Sequence, residues 1–307
     1  MYEAAVERLR AEVRGRVLLG APLADLTTLR VGGPAQVLVY PADRDDLARA
    51  LVILRDTATP VFVLGRGSNL VVRDAGIRGA VVCLEDGFRT VERLDAEDGS
   101  VLVRAEGGAA LSRLTRWTVE EAVGGFEALA GIPGTVGGAV AMNAGAWGVE
   151  LADRLVSVEL MGPDGETRTL PRDALAFGYR RFDLPAGHVI LGAVLRGEPR
   201  PAEAVKAELR DVLAKRHGSQ PYLQRSAGSV FRNPPGRSAG ELIDRCGLKG
   251  VRVGDAEISR VHANFIVNTG MATAAHVVAL IGMIQERVQL KFRVHLEPEV
   301  RVVGDWE

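Results

Sequence analysis

Residues 131–148, GIPGTVGGAVAMNAGAWG, put six glycines, one proline and no charge into eighteen positions, in a chain that is otherwise a quarter charged. Glycine at that density gives up folding entropy, and it fits only a backbone that takes unusual dihedrals or approaches something closely. With so few functional side chains in the run, the binding groups are backbone N–H groups, which in such loops form concavities for phosphate without a lysine. A second loop, LGRGSNL at 64–70, repeats the pattern after the apolar run 61–64. Two glycine loops point to a dinucleotide lying across backbone. The competing reading is that the glycines serve plain tight turns and close helix packing.

Neither loop fits the common phosphate motifs. No lysine followed by Ser or Thr is present as a Walker A loop needs, and GRGSNL lacks the third glycine of the Rossmann fingerprint. The following VVRDAGIRGAVV (71–82) reads as short strands broken by turns, with no crossover helix. The nucleotide is therefore expected on a scaffold other than Rossmann or P-loop.

At 307 residues the chain is too long for one simple core and is expected to hold two or three packed units. A hydrophobic share of 47% and a net charge of -1 describe an ordinary soluble globular protein and argue against nucleic acid as partner. The basic residues are almost all arginine, with lysine only at Lys206, Lys215, Lys249 and Lys291, a bias that codon usage and a hot habitat explain equally well. No apolar run approaches the roughly 20 residues of a membrane span. The opening MYEAAVERLRAEVRGRV has an amphipathic helix pattern without a signal peptide's apolar centre, so a cytoplasmic location is expected. Cys83 and Cys246 lie far apart, and His188, His217, His262, His276 and His295 are scattered, so neither a disulfide nor a metal site is expected.

After the N-terminal helix, QVLVY (36–40) predicts a strand, Asp43 caps a helix over DRDDLARALVILRD, and 61–64 is a second strand. Short β segments follow, AVVCL, TVERL and SVLVRA, with DAEDG (95–99) as a hairpin turn, then a helix over LSRLTRWTVEEA and the long glycine loop. The strands LVSVELM and HVILGAVLR enclose the turn GPDG (162–165), and prolines near 199–201 suggest a boundary before a helix. The last third reads as SAGSVFRNPPG, a capped helix SAGELIDRCG, a strand HANFIVN, a helix TAAHVVALIGMIQERVQLKF and a closing strand LEPEVRVV. Asparagine is scarce, at positions 69, 143, 233, 264 and 268, and the first three lie in glycine or proline loops. There they supply a neutral donor and acceptor, or tolerate left-handed turn dihedrals.

TTLRVGGPA (27–35), LGRGSNL, GIPGTVGGAVAMNAGAWG, FGYR (177–180), SAGSVFRNP (226–234), LKG (248–250), HANFIVN and LEPEV (296–300) together closely resemble the MurB family of UDP-N-acetylenolpyruvoylglucosamine reductases. The eight motifs run in order from about 25 to 303, which is specific where any one alone is weak. The resemblance implies an α+β fold: a two-part FAD-binding domain of the vanillyl-alcohol-oxidase (PCMH) type plus a C-terminal α+β substrate-binding domain. The expected bounds are 1–68, 69–200 and 201–307, with the last strand able to return to the FAD domain. It further implies NADPH as reductant, UDP-N-acetylglucosamine-enolpyruvate as substrate, UDP-N-acetylmuramate for peptidoglycan as product, and a monomer.

Residue by residue, the resemblance implies Thr28, Gly65, Arg66, Gly67, Ser68, Asn69, Gly131, Pro133, Gly134, Thr135, Gly137, Gly138, Asn143, Ala144 and Gly145 on FAD. Ser68 and Asn69 add side-chain donors to the loop amides. Arg180 matches the family's cation for charge building on the substrate carboxylate, Glu299 its carboxyl partner, and Ser229 the residue that protonates carbon. Tyr179, Asn233 and Lys249 match positions that contact the substrate or its phosphates. Without the resemblance, Ser229 reads as a turn serine and Arg180 and Glu299 as surface charges.

The chain reads RFDLP after FGYR, where many relatives carry a serine two residues on, and 181–189 holds no inserted tyrosine loop, which resembles the family's shorter branch. No histidine lies in or beside either glycine loop for covalent flavin attachment. Two other functions remain open at this level: an FAD-dependent oxidase of a sugar or hydroxy acid, which would release peroxide, and a nucleotide-sugar binding protein without turnover. Neither accounts for the C-terminal motifs.

Overall fold

QVLVY lies within the strand Pro34–Tyr40, and the helix after it forms over Arg44–Asp56, where the Asp43 carboxylate accepts from the Asp46 amide as N-cap. The computed structural model describes residues 2–94, 96 and 98–305, so Asp95 and Glu97 of the expected hairpin turn lie outside the described residues. Two compact units share the chain. The first holds Met1–Leu19, Val37–Gly65 and Gly79–Ala214, and the second Gly20–Gln36, Arg66–Arg78 and Lys215–Glu307. Both units are discontinuous along the chain.

In the first unit the helix expected across the opening seventeen residues stops at Glu12, and Arg16–Pro22 is a strand. The cause is Asp46, only 2% exposed, whose carboxylate accepts from the amides of Arg14 at 2.7 Å and of Gly15 and Ala42 at 2.9 Å. Those amides are thereby taken from any continuing helix. The strand joins a four-stranded sheet in the order Arg16–Pro22, Pro34–Tyr40, Ile77–Cys83, Val61–Leu64, the last pair parallel. Leu9, Val37, Val39, Leu47, Leu51 and Val82 fill its core.

A larger antiparallel sheet of the same unit runs Thr167–Pro171, Leu155–Met161, Val189–Pro199, Val101–Glu106, Val91–Leu94. Burial alternates residue by residue along Val101–Glu106, so one face meets the helices Leu111–Glu120 and Val136–Ala141 over Val103, Leu114, Phe126, Val136 and Val158. Glu159 on this sheet accepts from Arg44 through both its oxygens, one contact at 2.5 Å, and lies 3.5 Å from Arg104. The hydrogen bond from Arg44 holds the Glu159 carboxyl below its ordinary value. A depressed carboxyl contributes stability that is present above the ordinary glutamate range and is lost as pH falls through the folded value. Glu159→Gln is therefore expected to lower Tm near neutrality and to flatten the acid limb of a Tm-against-pH curve, which differential scanning calorimetry reads directly.

In the second unit an antiparallel sheet runs Arg225–Ser229, Phe265–Asn268, Ala256–Ile258, Arg252–Val253. Val230, Phe231, Ile243, Ile266, Leu280 and Ile284 join it to the helices Ala239–Arg245 and Ala274–Phe292. The long helix begins at a Thr273 cap, and Asp74 accepts from the amides of Ala274 and Ala275 at 2.8 and 3.0 Å. The expected closing strand is shorter than LEPEVRVV. Only Arg301–Val303 pairs as a strand, in parallel with Leu70–Val72, because Pro298 has no amide to offer a ladder. Among the described residues no helix is long and apolar enough to cross a membrane.

Candidate functional site

In the first unit Gly65, the start of the first glycine loop, meets the second loop. A Cβ on Gly65 would lie 2.7 Å from Thr135 Oγ1, so only glycine lets the first loop rest on the second. Thr135 caps the short helix Val136–Ala141 by accepting from the Gly138 amide at 3.2 Å. It also pairs with Ala110 in an antiparallel bridge whose bonds run Leu111 N to Gly134 O and Val136 N to Ala109 O. In a pair of that kind the Thr135 amide faces away from its partner strand. Gly131 and Gly134 bend the approach with φ of 75° and 141° around Pro133.

Two glycine amides of this loop bond within the protein. The Gly137 amide donates to Gly107 O at 2.8 Å, and the Gly138 amide is taken by the cap. Gly137 is small because Gly107 O would stand 3.0 Å from its Cβ.

Arg180 and Tyr179 form the two-residue tip of the hairpin Phe177–Gly178 and Arg181–Phe182, with Arg180 at φ 55°. The guanidinium turns back over the Tyr179 ring, 5.2 Å from its centroid, and donates to Asn143 O at 3.3 Å and Gly145 O at 2.7 Å. Asn143 closes the arrangement from φ 43° and 1% exposure. Its Nδ2 donates to Glu150 Oε2 at 2.6 Å and Gly178 O at 3.0 Å, and its Oδ1 accepts from the Ala152 amide at 3.1 Å. The Asn143 side chain is therefore bonded to the protein at both its nitrogen and its oxygen. Ala144 likewise accepts from the Leu151 amide and donates to Ala139 O.

Ser229 and Glu299 come together in the second unit. Ser229 ends the strand Arg225–Ser229 after a register shift over Ala227 and Gly228, where Gly228 takes φ 76°. Such a bulge re-aims the side chains that follow it. The amides of Glu299 and Val300 both donate to Val230 O, at 2.8 and 3.3 Å, and Phe231 bridges Pro298. The carboxyl residue thus sits against the residue that follows the serine. Asn69 steadies it, donating from Nδ2 to Glu299 O at 3.1 Å and accepting at its carbonyl from the Arg301 amide at 3.0 Å.

Asn264, which sequence reading gave no role, holds this backbone from the other side. Its Oδ1 accepts from the Phe231 amide at 3.0 Å, its Nδ2 donates to Phe231 O at 2.8 Å, and its carbonyl accepts from the Val230 amide. It is 4% exposed. Asn264→Ala strands two buried backbone groups, and a destabilisation of about 2–6 kcal/mol is expected in urea unfolding, at about 1–3 kcal/mol for each.

Thr28 joins the neighbourhood of the first loop to that of the serine. Its hydroxyl donates to Ser226 O at 2.7 Å and its amide to Gly67 O at 3.4 Å. Ser68 lies beside Gly228, its carbonyl 3.9 Å from where a Cβ would stand, and Arg66 and Gly67 belong to this unit as well. Asn233 is exposed and accepts at Oδ1 from the Ala239 amide at 3.0 Å. Lys249, expected as a point charge for phosphate, is ion-paired with Asp244 at 2.8 Å. His262 lies near that pair, and burial, helped by Lys249, pushes its imidazolium down. Among the described residues no group of three His, Cys, Asp or Glu could hold a metal ion.

Comparisons with known proteins bear on both units. Residues 35–171 match the family model of an FAD binding domain, and residues 220–303 that of the UDP-N-acetylenolpyruvoylglucosamine reductase C-terminal domain. The chain is 45% identical over 293 residues to the UDP-N-acetylenolpyruvoylglucosamine reductase of Pelobacter propionicus, covering 95% of this chain and 97% of the relative. It is 45% identical over 298 residues to that of Methylococcus capsulatus, covering 97% and 96%. The solved MurB structure from Thermus caldophilus superimposes with a TM-score of 0.79 at 41% identity, covering 94% of this chain and 98% of that one. At this identity over nearly the whole of both chains, the chain belongs to the UDP-N-acetylenolpyruvoylglucosamine reductase family.

Proposed function

We propose that Arg180, Ser229 and Glu299 carry the charge and proton chemistry by which this FAD-dependent enzyme reduces UDP-N-acetylenolpyruvoylglucosamine to UDP-N-acetylmuramate, with NADPH as donor, for peptidoglycan synthesis. The observation that carries the assignment is the double donation of Glu299 and Val300 amides to Val230 O, which seats a carboxyl residue beside a hydroxyl residue on fixed backbone.

The chain fits FAD. The Thr135 amide, which faces away from its partner strand, and the bends at Gly131 and Gly134 would offer backbone donors to its pyrophosphate, with Gly65 resting on Thr135. FAD, when bound, supplies the hydride that reaches the methylene carbon of the enolpyruvyl ether. Arg180 balances the negative charge that then builds on the substrate carboxylate, and two carbonyl anchors fix its guanidinium in advance. Glu299 is the carboxyl partner of that site, which has to be protonated, or tightly paired, to help an anion form. The Ser229 hydroxyl gives its proton to the neighbouring carbon and is resupplied from donors around it. A cytoplasmic monomer with no nucleic-acid or membrane partner belongs to the same proposal, and the net charge of -1 supports the absence of a polyanionic partner.

The test is anaerobic. The holoprotein is reduced with NADPH, the enolpyruvyl UDP-sugar is added, and the flavin band is followed. Its return on that addition is the expected result; rapid return with oxygen alone and none with the UDP-sugar would overturn the assignment in favour of an oxidase.

A further inference from the structure

The His262 ring is held from three directions within the second unit. The Asn264 amide donates to its Nδ1 at 3.2 Å. The ring meets Phe265 edge to face, with centroids 5.0 Å apart. It also lies against the helix Ala239–Arg245, where a Cβ on Gly240 would stand 2.9 Å from Cε1, so the helix carries glycine at the place that admits the imidazole. Its backbone is fixed as well, since Ser259 Oγ accepts from the amides of Val261 and His262 at 3.2 and 3.4 Å. A backbone amide only donates, so the Nδ1 it meets carries no proton and the neutral ring keeps its hydrogen on Nε2. The charges acting on the ring are Lys249, which opposes its protonation together with burial, and Asp244, which favours it.

Both residues that the ring touches lead to Ser229. Asn264 accepts at its carbonyl from the Val230 amide at 2.8 Å, and its carboxamide brackets Phe231 through both its oxygen and its nitrogen. Phe265 is the register partner of Ser229 across the sheet, and its amide donates to His262 O at 3.0 Å. The serine follows a register shift between Ser226 and Ser229, where the ladder is interrupted on its own strand. Its placement therefore leans on the neighbouring strand, whose first residues the imidazole sets.

We infer that His262 is a positioning residue for the proton donor: its neutral ring, accepting at Nδ1, sets Asn264 and Phe265 and through them the direction of the Ser229 hydroxyl; the inference rests on the function proposed above. Proton transfer tolerates little error in the placement of its donor, and a shift of about 1 Å costs about a hundredfold in rate. Protonating the ring exchanges an acceptor for a donor, sets N–H against the Asn264 N–H, and releases that support. Reduction of the flavin by NADPH does not use Ser229 and is independent of the ring.

The test uses the FAD-loaded protein, reduced with NADPH, with reoxidation by the enolpyruvyl UDP-sugar followed in stopped flow across about pH 5–8. Wild type is expected to slow on the acid side, below the ordinary histidine value of about 6.5. His262→Leu fills the space without an acceptor and is expected to slow reoxidation roughly ten- to a hundredfold, to lose that acid limb, and to leave flavin reduction unchanged. His262→Asn, whose Oδ1 reaches near the place of Nδ1 and takes up no proton, is expected to regain most of the rate and to show no acid limb. A merely structural role would lower Tm and leave the pH profile in place. Long-range proton–nitrogen correlation spectra of wild type need no variant: Nδ1 is expected bare at neutral pH and protonated over the range in which reoxidation slows. Reoxidation of the leucine variant within about twofold of wild type, an acid limb kept in His262→Asn, or a proton on Nδ1 at neutral pH would each overturn the assignment. Failure of the functional proposal reads differently: wild type is then not reoxidised by the UDP-sugar, or Ser229→Ala is reoxidised as fast as wild type. That result takes the positioning role with it and leaves the tautomer of His262 unchanged.

Discussion

Ser229→Ala is expected to slow reoxidation of the NADPH-reduced flavin by the enolpyruvyl substrate by about 10²–10⁴-fold, the usual contribution of a positioned proton donor. Reduction by NADPH and binding of the UDP-sugar should persist. The expectation is sharp because the backbone around Ser229 does not depend on its hydroxyl. Val230 is held by the Asn264 carbonyl and by the amides of Glu299 and Val300, and Phe231 by the Asn264 carboxamide. Truncating the serine therefore removes an O–H group and little else. A serine hydroxyl is too basic to release a proton unaided near neutral pH, so the loss should appear at the chemical step. Stopped-flow absorbance separates the half-reactions: the reductive trace should be unchanged and the oxidative trace slowed. Ser229→Cys, which keeps a donor of similar reach, is expected to recover part of the rate. Reoxidation of the alanine variant within threefold of wild type would remove Ser229 from the proton path and leave water or another side chain as the donor.

The glycine loops made the cofactor class legible, because glycine density reports a demand on the backbone that few other structures make. Within the loop the same density serves a second demand. Gly137 and Gly138 commit their amides to Gly107 O and Thr135 Oγ1, so their small size serves close packing as well as ligand access. Nothing in a linear sequence separates an amide that faces a phosphate from one that faces a carbonyl thirty residues away. Asparagine teaches the same lesson. Its scarcity left positions 69, 143 and 233 open between a neutral donor and acceptor and a left-handed turn, and all five asparagines bond to backbone: 69 to Glu299 O, 143 to Gly178 O and the Ala152 amide, 233 to the Ala239 amide, 264 to Phe231, and 268 to Leu29 O. A neutral donor and acceptor was indeed required, by the chain itself. The return of the last strand was open only through the family resemblance, for a related reason. Leu70–Val72 pairs with Arg301–Val303 across more than two hundred residues, and no local pattern announces so distant a partner.

Asn143→Ala is expected to damage the first unit severely, lowering stability by at least about 4 kcal/mol. Three polar groups lose a buried partner: the Glu150 carboxylate, Gly178 O and the Ala152 amide, at about 1–3 kcal/mol each before relaxation. Alanine also tolerates a left-handed φ of 43° poorly, at a further cost of about 1–2 kcal/mol. Asn143→Gly divides the two effects, since glycine accepts the dihedral but makes none of the side-chain bonds. It should fall between wild type and alanine in urea unfolding. Both variants should also lose activity beyond their loss of folded protein. Asn143 bonds the Arg180 hairpin at Gly178 O, and its own carbonyl receives the Arg180 guanidinium. Loosening that link frees the cation from a geometry set before the substrate arrives, and such preorganisation is what makes it effective on a developing charge. The discriminating measurement is kcat at a temperature where both variants remain folded. A reduced kcat with unchanged flavin reduction by NADPH ties Asn143 to the placement of Arg180, whereas full kcat in the glycine variant would confine Asn143 to stability and show that the Gly145 carbonyl alone anchors the arginine.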